Sequence, residues 1–319
     1  MQEQQFIYKN IYGQDCLKDT HLPWPKYAGK VRDVYDLGNE LLFISTDRLS
    51  AFDRAIALIP HKGEVLNQLS AWWFEKTQDI IANHMLKVPA PQAMSVKKCQ
   101  PLAIEMVVRG YITGTTNTSL WTLYSQGQRE VFGVKLPEGL KKNMRLEKPM
   151  LTPTSKSKDH DRPLAINDIQ HIPQMTSKLW EQISTVSLAL FEFASKELAK
   201  HGFIIADTKY EFGLDHQGNL LLIDELHTPD SSRYWELEDW EDSLKTAREP
   251  KSFDKELIRL WYKSCCNPYE DKILPEAPPD LVREVSARYI NLYERISGKQ
   301  LKKGHLTCAA LSEYLAKKA

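Results

Sequence analysis

Residues 203–225 read FIIADTKYEFGLDHQGNLLLIDE, two apolar runs set around Asp-His-Gln-Gly-Asn. Apolar runs about a polar, glycine-containing break predict a β-hairpin, and a hairpin fixes which side chains share a face. Period-two alternation puts Thr208, Tyr210, Phe212 and Leu214 on one side and Asp207, Lys209, Glu211 and Gly213 on the other. One side is a row of acid, base, acid, as either a solvated sheet surface or a binding face would carry. The partner run ends in Asp224 and Glu225. If residues 215–219 form the whole loop, Glu211 stands opposite Ile223 and shares its face with Glu225. One bulged residue would put Asp224 there instead. Two carboxylates held close together repel unless a cation sits between them or one is protonated. Oxygen ligands of this kind suit Mg²⁺, which takes one or two protein carboxylates and completes its shell with water and substrate phosphate. The hairpin therefore points to a phosphate-bearing ligand.

The hairpin follows a helical pattern, HIPQMTSKLWEQISTVSLALFEFASKELAKHG, with Gly202 as the stop. The first third alternates short β-rich runs with Gly, Asp and Asn breaks: KVRDVYDLG, ELLFIST, AIALIP and QPLAIEMVVRGYI. These predict a mainly antiparallel sheet. The segment GEVLNQLSAWWFEKTQDIIANHM places Val65, Leu66, Leu69, Trp72, Trp73 and Ile80 at helical spacing, to pack on that sheet. Residues 133–168 are rich in Lys, Pro, Asp and Ser and read as a long irregular connection. The tail, through SFDKELIRLWYKSC and PPDLVREVSARYINLYERISG, predicts two helices separated by prolines.

Neither a Walker P-loop nor a G-x-G-x-x-G fingerprint occurs, so a phosphate site must be built another way. In AGKVRDVYDLG, Gly29 at a strand start precedes Lys30 and Arg32, two apart and so on one face. That could lay two cations beside a polyphosphate with the backbone close by, or could be an ordinary charged edge strand. In VVRGYITGTTNTS, Arg109 leaves an apolar strand toward Gly110, Gly114 and several threonines. It reads equally as an anion clamp or a structural ion-pair partner. The 42 basic and 42 acidic residues balance, leaving no global field for nucleic acid or an anionic membrane. No run approaches the roughly 18 apolar residues of a membrane span, so a cytoplasmic protein is expected. Five scattered cysteines without a C-x-x-C pair argue against structural zinc and a disulfide framework.

Eight blocks, in order, carry a resemblance: GKVRDVYDLG, STDRLSAFD, IPHKGEVLNQLSAWWFE, VVRGYITGT, TPTSKSKDHD, DTKYEFGLD, DELHTPDSSRYW and SFDKELIRLWY. In these the chain resembles the SAICAR synthetases, the phosphoribosylaminoimidazole-succinocarboxamide synthases of purine biosynthesis. The resemblance implies an α+β, two-lobed fold, with a small β-rich ATP lobe like that of protein kinases (1–101) over a larger α/β lobe (102–319). It implies an ATP-dependent ligase that joins a carboxyaminoimidazole ribonucleotide to L-aspartate through an acyl phosphate, with Mg²⁺ as cofactor. Carried over by position, Lys30 and Arg32, with Gly29, match the ATP phosphate contacts, and Glu211 and Asp224 the Mg²⁺ carboxylates, which favours the bulged register. Arg109, Thr115 and Arg233 match the holders of the ribonucleotide 5′-phosphate. Lys209, Asp207 and Asp230 would face imidazole and ribose, Ser50 and Asp53 would line the site, and Lys156, His160 and Asp161 belong to a loop that closes on substrates.

Two other classes bear on the same features. A kinase-like phosphotransferase would carry H-R-D-x-x-x-x-N and D-F-G, and neither occurs. A non-catalytic nucleotide-binding protein would have no use for Glu211, Asp224, Lys209 and Arg233 together.

Overall fold

A computed structural model describes residues 7–10, 12–116, 119–156, 163–164, 166–304, 311 and 314–315. Two antiparallel sheets dominate it, and the chain is of mixed α+β class. The first sheet has five strands, in spatial order Lys26–Ala28, Arg32–Asp36, Glu40–Ser45, Ala93–Lys97 and Met85–Ala90. The second is built on two twelve-residue strands, Gln100–Tyr111 and Phe203–Leu214. Arg145–Leu151 and Thr154–Ser155 pair with the former; Leu220–Ile223 and Ser232–Glu236 pair with the latter.

The predicted hairpin is present, with Thr208, Tyr210 and Phe212 buried, but burial does not alternate cleanly: Glu211 and Gly213 are buried too and Leu214 is half-buried. Helix Ser177–Ala199 begins where the Thr176 hydroxyl accepts the Leu179 N–H at 3.1 Å, capping an otherwise orphaned donor. It buries Ile183, Ser187, Leu190, Phe191, Ala194 and Leu198 against the second sheet, and Gly202 turns the chain back at φ 74°. Gly110 lets this helix close on the sheet, since a Cβ there would stand 2.8 Å from Phe191 Cζ.

Helix Lys62–Lys76 packs on the five-stranded sheet and on the C-terminal helix Pro279–Ser297. It ends nine residues short of the periodic segment's end, where the Thr77 amide and hydroxyl both donate to the Trp73 carbonyl. One apolar core contains Val65 and Trp73 from this helix, Met94 and Val96 from the first sheet, and Ile104, Tyr210 and Phe212 from the second.

Three expectations are corrected. AIALIP forms a separate two-stranded hairpin, Arg48–Ala51 with Arg54–Leu58, and QPLAIEMVVRGYI enters the second sheet instead of the first. The span 133–168 is not irregular throughout: it contains strand Arg145–Leu151, in which Leu146 and Met150 are buried while charges and Pro149 mask the alternation. The bulged register is absent. Glu211 pairs with Ile223 and Leu214 with Leu220 around the loop 215–219. Helix Leu237–Thr246 had no sequence counterpart in the expected elements. Among the described residues, no helix is long and apolar enough to cross a membrane.

Candidate active site

Glu105 and Glu211 stand directly opposite each other on the two long strands, a juxtaposition of like charges that costs stability unless neutralised. Lys209 supplies the neutralisation: its Nζ donates to Glu105 Oε1 at 2.9 Å and to Glu211 Oε1. Lys156, just beyond strand Thr154–Ser155, donates to the other oxygen of Glu211. Burial pulls the Lys209 ammonium down, but Glu211 and Glu105 outweigh it and hold the group well above the ordinary lysine range. Lys209 is a fixed cation.

Asp224 reaches this cluster without a bulge. Strand Leu220–Ile223 ends one residue earlier, and Asp224 adopts φ 68°, which breaks the alternation that would have put Glu225 on the face of Glu211. Its carboxylate accepts from Arg32 Nη1. Burial opposes its ionisation, yet Arg32, Lys209 and Lys156 together hold it well below the usual carboxylate range. Glu225 instead accepts the Thr228 hydroxyl at 2.6 Å, with Arg32 Nη2 3.7 Å away.

Arg32 and Lys30 are not neighbours on one strand face. The strand starts at Arg32; Lys30 lies in the preceding bend, exposed and 2.7 Å from Asp53. Arg32 turns inward, over the Phe43 ring, onto Asp224. Gly29 donates its N–H to the Arg32 carbonyl at 2.8 Å, closing the turn between them. Ser50 is buried on strand Arg48–Ala51, and Asp53 follows in the tight turn of that hairpin at φ 59°.

A second charged group gathers further along the same long strand. Asp207 Oδ2 accepts from Arg233 at 2.5 Å and from Arg109 at 3.4 Å. Arg109 is oriented by donation from Nε to the Thr152 hydroxyl at 2.9 Å, and Arg233 stands 3.6 Å from Glu256. Glu256 in turn accepts the Thr115 hydroxyl at 2.8 Å. The arrangement joins Arg109, Arg233 and Thr115 through two acids.

Asp230 belongs to a third group that sequence reasoning did not assemble. Lys62, fully buried in the first turn of its helix, places Nζ 2.7 Å from Asp230 Oδ2, and the Tyr289 hydroxyl donates to Oδ1 at 3.2 Å. Gly63 makes this possible: a Cβ there would meet the Ser45 carbonyl oxygen at 2.3 Å. Asp47 accepts the Gly63 N–H at 2.8 Å, capping the same turn. Lys255 borders the group: its carbonyl accepts the Arg259 N–H at 3.1 Å, and its ammonium has no hydrogen bond or ion pair among the described residues. Burial lowers its ammonium to about 8, against the pull of Asp230. Lys62 and Lys255 lie in quoted blocks, but a lysine in a helical first turn ordinarily reads as solvated, and only the packing reveals otherwise. His160 and Asp161 lie outside the described residues.

No three His, Cys, Asp or Glu side chains among the described residues converge as a metal cage. Mg²⁺ does not need one, and the Glu211 and Asp224 carboxylates, already compensated by Lys156, Lys209 and Arg32, offer the oxygen donors it takes.

The sequence profile described as SAICAR synthetase matches residues 25–275. A phosphoribosylaminoimidazole-succinocarboxamide synthase of Legionella pneumophila is 49% identical over 285 residues, covering 89% of this chain and 91% of that one. A chloroplastic relative of the same description from Arabidopsis thaliana is 50% identical over 293 residues, covering 90% and 71%. Among solved structures, the Saccharomyces cerevisiae SAICAR synthase complexed with SAICAR superposes with a TM-score of 0.76. Its identity is 30%, and 90% of this chain and 99% of that one are covered.

Proposed function

The chain belongs to the SAICAR synthetase family, and on that footing we propose how its own side chains carry the family's reaction. It is an ADP-forming carbon–nitrogen ligase of purine biosynthesis, joining the carboxylate of the carboxyaminoimidazole ribonucleotide to the amine of L-aspartate. A carboxylate is a poor electrophile. Transfer of the γ-phosphoryl group of ATP to its oxygen releases ADP and gives an acyl phosphate. The aspartate amine then attacks the acyl carbon, phosphate leaves, and the nitrogen loses its proton. Little covalent work falls to the protein, so its contribution is positioning and charge neutralisation.

In this reading residues 1–101 form the nucleotide lobe and 102–319 the substrate lobe. The observation that carries it is the convergence of Glu211, on the first strand of the hairpin, and Asp224, just past the end of the second, on Lys209, Lys156 and Arg32. Glu211 and Asp224 would hold Mg²⁺, which when bound offsets charge on the β- and γ-phosphates. Lys30, Gly29 and Arg32 face those phosphates. Lys209, a permanent cation, binds an anionic oxygen of the substrate or intermediate. Arg109, Arg233 and Thr115 take the 5′-phosphate, displacing Asp207 and Glu256 from the guanidinium groups. Asp207 and Asp230 contact ribose and imidazole, with Lys62 and Tyr289 fixing Asp230. Ser50 and Asp53 line the nucleotide side. Lys156, His160 and Asp161 close over the acyl phosphate and keep water from it.

The test is ADP release with ATP, Mg²⁺, the carboxylated ribonucleotide and L-aspartate, each omitted in turn. Release should require the ribonucleotide, and release indifferent to it would sink the assignment. Glu211→Gln should lower kcat by about a hundredfold or more, on the scale of a lost charge-stabilising group, while ribonucleotide binding changes by less than about threefold.

A further inference from the structure

We propose that Arg48 is the positioning residue of the nucleotide phosphate site: it holds the 29–32 turn with its carbonyls drawn inward, leaving amide N–H groups to an anion. The inference rests on the reading that this turn meets the phosphates of ATP.

The hydrogen bonds of the turn are one-sided. Arg48 donates from Nη2 to the Gly29 carbonyl at 3.0 Å and from Nε to the Lys30 carbonyl at 3.2 Å. The Val31 carbonyl accepts both the amide of Thr46, at 3.0 Å, and its hydroxyl, at 2.8 Å. The Arg32 carbonyl accepts the Gly29 N–H. All four carbonyls are therefore taken. By contrast, the N–H groups of Lys30 and Val31 have no acceptor among the described residues. Successive unpartnered amides with their carbonyls tied back form an anion-binding concavity. Here two of the four ties are made by one guanidinium.

That guanidinium is itself anchored. Nη2 also meets the carboxylate of Asp33, which is wholly buried, at 2.9 Å, and Nη1 donates to the Lys18 carbonyl. Asp33 is held independently by the Thr20 amide and hydroxyl at 3.0 and 2.7 Å and by Lys26 at 3.0 Å. Arg48 thus has a fixed base and a fixed reach, a use for a planar fork that lysine, with one charged nitrogen, cannot reproduce. Because Asp33 keeps Lys26 and Thr20, loss of Arg48 does not strand a buried carboxylate.

Arg48 also lines a cavity of about 490 Å³ with Lys18, Ile56, Ala57, Leu58 and Ala277. None of Glu211, Asp224, Asp207 or Asp230 lines it. Truncation at Arg48 leaves room there for a guanidinium ion from solution.

The experiment compares Arg48→Ala, Arg48→Lys and Lys30→Ala in the full chain by steady-state kinetics in each substrate. Arg48→Ala should raise the ATP KM about tenfold or more, the scale of losing a charged hydrogen bond. The KM values for ribonucleotide and aspartate should stay within about twofold, as should kcat at saturating ATP. Millimolar guanidinium, but not equal NaCl, should restore the ATP KM of Arg48→Ala and leave that of Lys30→Ala unmoved. Should Arg48→Ala not fold, Arg48→Lys decides, and an ATP KM equal to that of the parent overturns the proposal. A raised ATP KM in Lys30→Ala with parental values in both Arg48 variants overturns the inference and leaves the reading of the turn standing. A parental ATP KM in Lys30→Ala overturns that reading itself, and the inference with it.

Discussion

Arg233→Met removes one guanidinium and keeps most of its volume. In the folded chain Arg233 is largely buried, 2.5 Å from Asp207 and 3.6 Å from Glu256. If it holds the ribonucleotide phosphate through a charge-assisted contact, the loss is about 1.5–3 kcal/mol. A second term has the same sign: Asp207 keeps only Arg109 at 3.4 Å, so its charge now opposes the incoming phosphate. Together these set an expected rise in ribonucleotide KM of about a hundredfold, taking about 3 kcal/mol at 1.4 kcal/mol per decade. The ATP KM should stay within about threefold, because Arg233 touches none of the Glu211, Asp224 or Arg32 group. Steady-state kinetics in each substrate give the comparison, with near-ultraviolet circular dichroism confirming an intact fold. An unchanged ribonucleotide KM, or an equal rise for ATP, would refute the assignment of Arg233 to the phosphate. Arg233→Lys should fall between the two, keeping charge but losing the fork.

Two more outcomes follow from the third charged group. Gly63→Ala sets a Cβ 2.3 Å from the Ser45 carbonyl oxygen, so the helix must shift. Destabilisation of about 1–3 kcal/mol is expected in urea unfolding, and an unchanged midpoint would contradict the close approach. Lys255, lowered to about 8 by burial, is flanked by Asp230, Arg259, Lys62 and Glu225. If its charge helps hold the anionic ribonucleotide, KM climbs as pH rises through about 8, and the limb disappears in Lys255→Met. Stability moves oppositely. Between about 8 and the ordinary value of 10.5 the unfolded chain holds the proton and the folded chain does not, so this group's contribution to stability increases with pH there. A parental profile in Lys255→Met would remove it from binding.

What could be read from sequence was what repeats locally. The hairpin faces, the stop at Gly202 and the two tail helices, Glu256–Cys265 and Pro279–Ser297, follow from periods of two and 3.6 and from glycine's freedom at φ 74°. Strand Arg145–Leu151 was hidden because an edge strand with two buried residues need not alternate cleanly. Partner choice was hidden more deeply. Lys62 finds Asp230 across 168 positions, and Arg32 finds Asp224 across 192, distances over which no local pattern speaks. Asp224 is the sharpest instance. Its face was decided by a single positive φ, which aspartate tolerates and sequence does not announce. The eight blocks carried the family because order is preserved even where contacts are not visible.

The shared core has a thermodynamic corollary. Helix Lys62–Lys76 buries Val65 and Trp73 in the same apolar cluster that receives Met94 and Val96 from one sheet and Ile104, Tyr210 and Phe212 from the other. Neither sheet owns a separate reservoir of buried area in this cluster, so opening either one exposes the flank of the other. This cluster therefore couples the stability of the two sheets. If nucleotide meets the 29–32 turn and the ribonucleotide is held on the second sheet, as proposed, free energy released at the first would raise the stability of the second, with no wire of contacts required between them.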